Sequence, residues 1–281
     1  MPELSYPPGI LASMRDLRAE EEWARRLIAR HLAVIVEQHD DGLSPSMHDL
    51  QFRYFDGRRG AVEVTSAADP ELIQWWNLAN GRDGRWQEEG LTGGWIVVAD
   101  PSSRVRQLHD QLPGFLAVLE NQKLTNLKVK NWGRADPNAN FARRLGVISA
   151  CQSGTEFPGS IYLTVDLPLE RSAGMVADNG DAAAEWVGDS LPEDVVSKLR
   201  RSGAEERHAF VILPPLTTAP FEVSYLLIRE DAVLPTVDPR LPDGVTHVWI
   251  VSTLSSGIGF YWDPESGWSG FSKAQDSVTT L

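Results

Sequence analysis

Cysteine is the scarcest reactive group in this chain: Cys151 is the only one among 281 residues. A single thiol excludes an internal disulfide and any zinc or iron–sulfur centre built from several cysteines, and it points to a reducing, cytoplasmic compartment. No apolar run approaches the roughly 20 residues that a membrane-spanning helix needs. The start, Met1-Pro2-Glu3-Leu4, lacks the basic region and apolar stretch of a secretory signal. A soluble protein with no membrane partner is therefore expected. Gly-x-Gly-x-x-Gly and Walker-type phosphate loops are absent. The six histidines, at positions 31, 39, 48, 109, 208 and 247, show no His-x-x-x-His spacing for a metal. Internal repeats and low-complexity tracts are missing as well.

What is present is an ordinary globular composition, 42% apolar and 23% charged, enough for a sizeable core in one large domain or two modest ones. The net charge of −13 excludes a strongly basic nucleic-acid binder and leaves room for a local basic groove. Residues 1–150 carry a net −2 and residues 151–281 a net −11. Against that background, residues 104–144 are locally +5. Such a charge run is usually a solvated face; the sharper reading is a strip that tracks phosphates, with Lys123, Lys128 and Lys130 and with Trp132 as a stacking plane. The acidic C-terminal half suits a protein partner or self-association better than extended contact with nucleic acid.

Periodicity gives a mixed α/β chain. Apolar positions from Met14 to Ile35 recur at spacings of three and four, a helix ending by Asp41-Gly42. Strands follow at 49–55 and 60–66, then a helix opened by Asp69-Pro70 and closed by Gly81, a buried strand at 95–99 and a helix over 103–121 containing Pro113. In the second half, strands are expected at 146–150, 161–165, 208–213, 223–228, 248–251 and 258–262, and helices at 182–187 and 193–201. The end, from Ser269, reads as polar and loose. These elements suggest an α/β region over 1–135 and an acidic, strand-rich region over 136–281, which can also belong to one domain, with a seam near 131–140.

The informative stretch is His48 to Thr65. Leu50, Phe52 and Tyr54 share one face of the first strand, leaving Asp49, Gln51 and Arg53 on the other. Val62 and Val64 point to the core, leaving Ala61, Glu63 and Thr65 opposite. A three-residue loop, Phe55-Asp56-Gly57, with Gly57 left-handed, pairs Tyr54 with Arg58 and places Asp49 directly across from Glu63; a two-residue loop would put them on opposite faces. Two carboxylates facing each other on adjacent strands repel, and a divalent ion, an arginine or a shared proton relieves them. Mg²⁺, or Mn²⁺, is the natural ion because it takes carboxylate oxygens and keeps waters for a phosphate substrate. Glu21 falls on the apolar side of the first helix, where a carboxylate needs a partner. His48, beside Asp49, suits a general base or an outer-shell ligand. The same residues also fit a surface hairpin with its polar face in solvent. A Cys151 nucleophile served by His208 or His247 is a further option.

This segment resembles the PD-(D/E)XK nuclease superfamily, whose fold runs helix, three-stranded meander, helix, strand. The resemblance covers roughly residues 14 to 100 and implies a nuclease-like central sheet flanked by helices, with additional strands in the C-terminal half. It implies Asp49 and Glu63 as metal ligands, Glu21 as the occasional glutamate of the first helix, and Gln74 as the glutamine some members carry on the next helix. Three departures stand out. Thr65 takes the place of the motif lysine, Ser46-Met47-His48 replaces the usual proline, and one strand fewer is counted before Asp49. Lys123, Lys128 and Lys130 are the only lysines before Lys198, so another cation must approach the carboxylates or the site is not catalytic. The implied function is a Mg²⁺-dependent phosphodiesterase on nucleic acid, with Asp49, Glu63, Thr65 and His48 catalytic. The alternative is a non-catalytic module that binds nucleic acid or a protein partner.

Overall fold

The computed structural model describes residues 16–40, 42, 46–81, 84–131, 133, 135–154, 157–165, 179–254 and 257–273. Trp132 lies outside them. The chain is mixed α/β and divides into two compact units, one of residues 1–67 with 176–281 and one of 68–175 inserted between those segments. The sequence split at 135/136 does not coincide with either junction, because composition changes gradually whereas the chain leaves one sheet after residue 67 and returns only near 176.

The first unit holds a seven-stranded sheet. Its opening helix, α1 (Ala19–Leu32), stops earlier than its periodicity suggested. Ala33 adopts a left-handed conformation (φ 53°), and the β-branched run Val34-Ile35-Val36 leads into β1 (Val36–Gln38). β1 is the strand that seemed missing before Asp49. It pairs antiparallel with β2 (Leu50–Arg53), which pairs antiparallel with β3 (Arg59–Ser66), making a three-stranded meander.

The β2–β3 turn follows the three-residue reading. The Tyr54 N–H donates to the Arg58 carbonyl at 3.0 Å, and Gly57 has φ 93°. Leu50 faces Val62, and Phe52 faces Gly60. Gly60 is needed for space rather than for φ: a Cβ there would stand 2.1 Å from the Phe52 ring, which is buried. Gly60→Ala is expected to cost about 1–3 kcal/mol by pushing Phe52 off its seat. Urea unfolding checks this: the midpoint should fall while the slope stays unchanged.

The inserted unit carries α2 (Pro70–Asn80), β4 (Trp86–Gln87), β5 (Gly94–Ala99), α3 (Val105–Asn121), β6 (Asn126–Lys128), α4 (Pro137–Leu145), β7 (Val147–Gly154) and β8 (Ser160–Val165). Its five strands lie in the order β4-β8-β5-β7-β6. α3 continues through Pro113 without ending there. Asn80 ties α2 to β8 by two 2.7 Å hydrogen bonds with the Leu163 backbone. Of the adjacent tryptophans, Trp75 is buried and donates to the Ser103 carbonyl, while Trp76 is half-buried.

The chain then rejoins the first unit through α5 (Asp181–Asp189) and α6 (Glu193–Arg201), and enters β9 (Glu206–Leu213) parallel to β3. The helix and strand that complete the helix–meander–helix–strand order in this sheet are thus α6 and β9. α2, with the exposed Gln74, and β5 belong to the other unit. The strand expected at 223–228 is instead α7 (Phe221–Leu226), whose buried Val223, Leu226 and Leu227 recur at helical spacing after Pro220. β10 (His247–Ser252) runs parallel to β9, and β11 (Ile258–Asp263) and β12 (Gly267–Ser272) finish the sheet as antiparallel strands. Residues 269–272 of the end expected to be loose thus belong to β12, and residues 274–281 lie outside the described residues. Lys273, just past β12, is buried and donates to the carbonyls of Leu227, Ser252 and Leu254 at 2.9–3.2 Å. Burial lowers its pKa to about 8.

The sheet has two apolar faces. α1 covers Leu50, Phe52, Val62, Phe210 and Trp249, while α5, α6 and α7 cover Ala61, Ala209, Val211, Val248 and Ile250. Among the described residues, no helix is long and apolar enough to cross a membrane.

Candidate active site

Asp49 immediately precedes β2, and Glu63 lies within β3. The β2–β3 register continued by one residue sets them opposite each other, as the loop reading required. Both are buried, at 2% and 3% exposure. The Val64 N–H donates to Asp49 Oδ2 at 2.8 Å, and the Asp49 carbonyl accepts the His39 N–H at 2.9 Å, which fixes the end of β1 beside it.

A cation does reach Glu63, from α6. Lys198 Nζ donates to Glu63 Oε1 at 2.5 Å, while the other oxygen, Oε2, is buried without a hydrogen-bond partner. Thr65 shares the Glu63 side of β3, half-buried, and its hydroxyl makes no hydrogen bond among the described residues. Lys123, Lys128 and Lys130, weighed as the substitute from sequence, belong to the inserted unit and are exposed there. Lys198 was missed because it lies 135 residues from Glu63. Its signal was present nonetheless: Val195, Val196 and Leu199 mark the buried face of α6, and Lys198 sits at the border of that face.

Burial and the repulsion of Asp49 push the Glu63 carboxyl up to about 7, although Lys198 pulls the other way. Asp49 is also raised, by burial and by Glu21, with the Val64 N–H, Arg18 and Lys198 opposing. Burial alone would lower Lys198, but Glu63 and Asp49 outweigh it and hold the ammonium charged. His48 is buried and stacked on His39, with centroids 3.9 Å apart; burial, His39 and Lys198 lower its pKa to about 4, so it is neutral at pH 7.

Glu21 is buried as its spacing implied, but its carboxylate closes the start of α1. Oε2 accepts the Arg18 N–H at 2.8 Å and Oε1 accepts Arg18 Nε at 2.5 Å. Arg18 in turn stands 3.5 Å from Asp49 Oδ1. Glu21 therefore acts on Asp49 both directly, by repulsion, and by holding Arg18 beside it.

A second buried polar group lies on the opposite face of the sheet, where His208 pairs with Val62, the neighbour of Glu63. Glu206, His208 and His247 each offer a ligand atom within 4.8 Å of the others. The two imidazoles are stacked, 4.2 Å apart and 13° from parallel, so their lone pairs run side by side and do not converge on one ion. His208 also uses both nitrogens, accepting from Trp249 Nε1 and donating to Glu206 at 3.1 Å each. Tyr54 and Arg58 complete Glu206. This cluster reads as a satisfied core network.

Cys151 is exposed on β7, and among the described residues its thiol bonds only the Gln152 carbonyl. His208 and His247 belong to the other unit, where both are buried. No protein-family model, curated protein or solved structure matches the chain.

Proposed function

We propose that the protein is a divergent metal-dependent phosphodiesterase acting on nucleic acid, with Asp49, Glu63 and Lys198 as its working groups. The observation that carries this reading is Glu63: a carboxylate buried opposite another, with one oxygen on an ammonium and the other unpartnered. Leaving such an oxygen dry costs free energy in the folded state, and a divalent ion would relieve it. The order α1, β1-β2-β3 meander, α6, β9 supports the resemblance to the PD-(D/E)XK superfamily, with the lysine moved from β3 to the following helix.

Asp49 and Glu63 would hold Mg²⁺ or Mn²⁺, which when bound lowers the pKa of a coordinated water and offsets phosphoryl charge. Lys198 keeps its proton and sets a positive charge beside Glu63, where charge develops on a phosphoryl group. His48, neutral and adjacent, can accept a hydrogen bond or a proton from water, and the Thr65 hydroxyl can orient that water. Arg18 stands in for a cation beside Asp49, so Arg18→Ala is expected to tighten metal binding severalfold.

Calorimetric titration with Mn²⁺, with and without a phosphorothioate oligonucleotide, tests the reading. Binding in the wild type that disappears in both Asp49→Ala and Glu63→Ala is the expected result. Absence of binding in both conditions would overturn it in favour of a non-catalytic binding module whose carboxylates are neutralised by Arg18 and Lys198, with a protein partner for the acidic C-terminal half.

A further inference from the structure

Two arginines face each other on the hairpin that carries the carboxylates. Arg53 and Arg59 are directly opposed in the β2–β3 register, both exposed, and on the same strand faces as Asp49 and Glu63. Like charges in that position destabilise a strand pair. One exposed carboxylate, Glu205, feels both: Arg59 Nε stands 3.9 Å from it and the other end of Arg59 donates to the Gly203 carbonyl, while the charge of Arg53 helps to lower the Glu205 pKa. Arg53 makes no hydrogen bond or ion pair among the described residues.

The two arginines line a groove of about 600 Å³ between the hairpin and α6. Lys198 and, one helical turn on, Arg201 form its other wall. Arg201 is exposed and spends only its Nε, on the Ser197 carbonyl. Four cations therefore border one groove whose lining, among the described residues, includes one acid, Glu37, on a chain whose net charge is −13. Such a concentration against the overall sign focuses anions. Guanidinium forks match phosphate oxygens two at a time. The far lip carries Ile35, 79% exposed, and His39, an apolar and aromatic platform beside the cationic wall.

We propose that this groove binds a chain of phosphates, single-stranded nucleic acid or inorganic polyphosphate, gripped by Arg53, Arg59 and Arg201 and led toward Lys198 and Glu63. The proposal deepens the phosphodiesterase reading and rests on it for what happens at the carboxylates. It differs from the sequence expectation, which placed phosphate contacts on Lys123, Lys128, Lys130 and Trp132.

Fluorescence anisotropy of a labelled twelve-residue oligothymidylate, measured in EDTA, tests it. The wild type should bind with an affinity that falls steeply as salt rises. Arg53→Ala and Arg201→Ala should each weaken binding about tenfold, the loss of one charge-assisted phosphate contact, with thermal unfolding unchanged because both side chains are exposed. Competition by polyphosphate as effective per phosphate as by unlabelled oligonucleotide would assign recognition to the phosphates alone. Stronger competition by the oligonucleotide would add a base contact at Ile35 and His39. No salt-dependent binding, wild-type affinity in the arginine variants, or a loss confined to a Lys123→Ala/Lys128→Ala/Lys130→Ala variant would overturn the proposal. EDTA removes the metal, so a failure here leaves the Mn²⁺ titration unaffected, and a failed titration leaves this measurement standing.

Discussion

Lys198→Met is expected to destabilise the fold far more at pH 8 than at pH 5 and, on the phosphodiesterase reading proposed above, to lower hydrolysis by about 10²–10³-fold. The activity loss is that of removing one fixed charge from the place where phosphoryl charge develops. The stability loss follows from Glu63. In the wild type the ammonium at 2.5 Å partly offsets burial and Asp49, and the carboxyl still titrates near 7. Without Lys198 its folded-state pKa climbs further above the ordinary value of 4.5. Unfolded chains ionise at that ordinary value, so the variant loses stability as pH rises from there toward the new, higher pKa. At pH 8 the penalty should approach that of breaking a buried ion pair, about 3–5 kcal/mol, moderated because Glu63 can protonate instead. At pH 5 the carboxyl is protonated in both folded proteins, and only a weaker hydrogen bond is lost, about 1 kcal/mol. Methionine keeps the length and apolar stem of lysine, so packing along α6 is preserved. Urea titrations at the two pH values decide the matter: equal losses would mean that Lys198 does not hold Glu63 in solution.

How far the site could be read from sequence depended on whether its parts were local. The Asp49–Glu63 opposition is fixed within a hairpin, and one glycine with a positive φ sets its register, so Gly57 was enough to find it. The end of α1 was misread because apolar spacing continues through Val34, Ile35 and Val36, residues that serve a helix face and a strand equally in pattern. The β-branched run and the left-handed Ala33 decide for a strand. Residues 223–228 were misread as a strand for the converse reason, since a short apolar segment with Val223 and Ile228 fits both periods and burial decides.

Lys198 was out of reach for a different reason. The meander and the helix that completes it are separated by the inserted unit of residues 68–175. Any reading that takes the next helix in sequence as the next helix in the fold assigns α2 and Gln74 to that role. Nothing in local pattern marks an insertion. What marks it is the parallel pairing of β3 with β9, which is visible only in three dimensions. Thr65 in place of a motif lysine looked like a lost function; with α6 against the same strand, the charge is present on a neighbouring element.

Glu63→Gln should stabilise the protein by about 3 kcal/mol at pH 8, leave stability nearly unchanged at pH 4.5, and eliminate metal binding. Because the folded-state pKa of Glu63 is raised to about 7 from an ordinary 4.5, its protonated form is favoured by folding. Below the unfolded value both states carry the proton and full stability is present. Between the two values the unfolded chain has lost its proton while the folded one keeps it, so stability declines with pH, and the decline is complete above about 7. Each pKa unit is worth about 1.4 kcal/mol, which gives the figure stated. Glutamine mimics the protonated acid: its carbonyl can accept from Lys198, which is partly exposed and stays hydrated. The variant therefore removes a charge that the wild-type fold carries at a cost. His48 acts in the opposite sense. Its depressed pKa contributes stability that is present above the ordinary histidine value and lost as pH falls toward about 4. Over about pH 4.5 to 6.5 the two slopes oppose, so wild-type stability should be nearly level there and fall toward 7, whereas Glu63→Gln keeps only the histidine contribution and should gain stability up to about pH 6.5 and hold it to pH 8. Chemical denaturation of the two proteins from pH 4.5 to 8 measures the difference directly. Parallel curves would show that Glu63 is an ordinary ion-paired carboxylate. A gap that opens with pH, together with lost Mn²⁺ binding, would mark it as a group kept for its chemistry at the expense of stability.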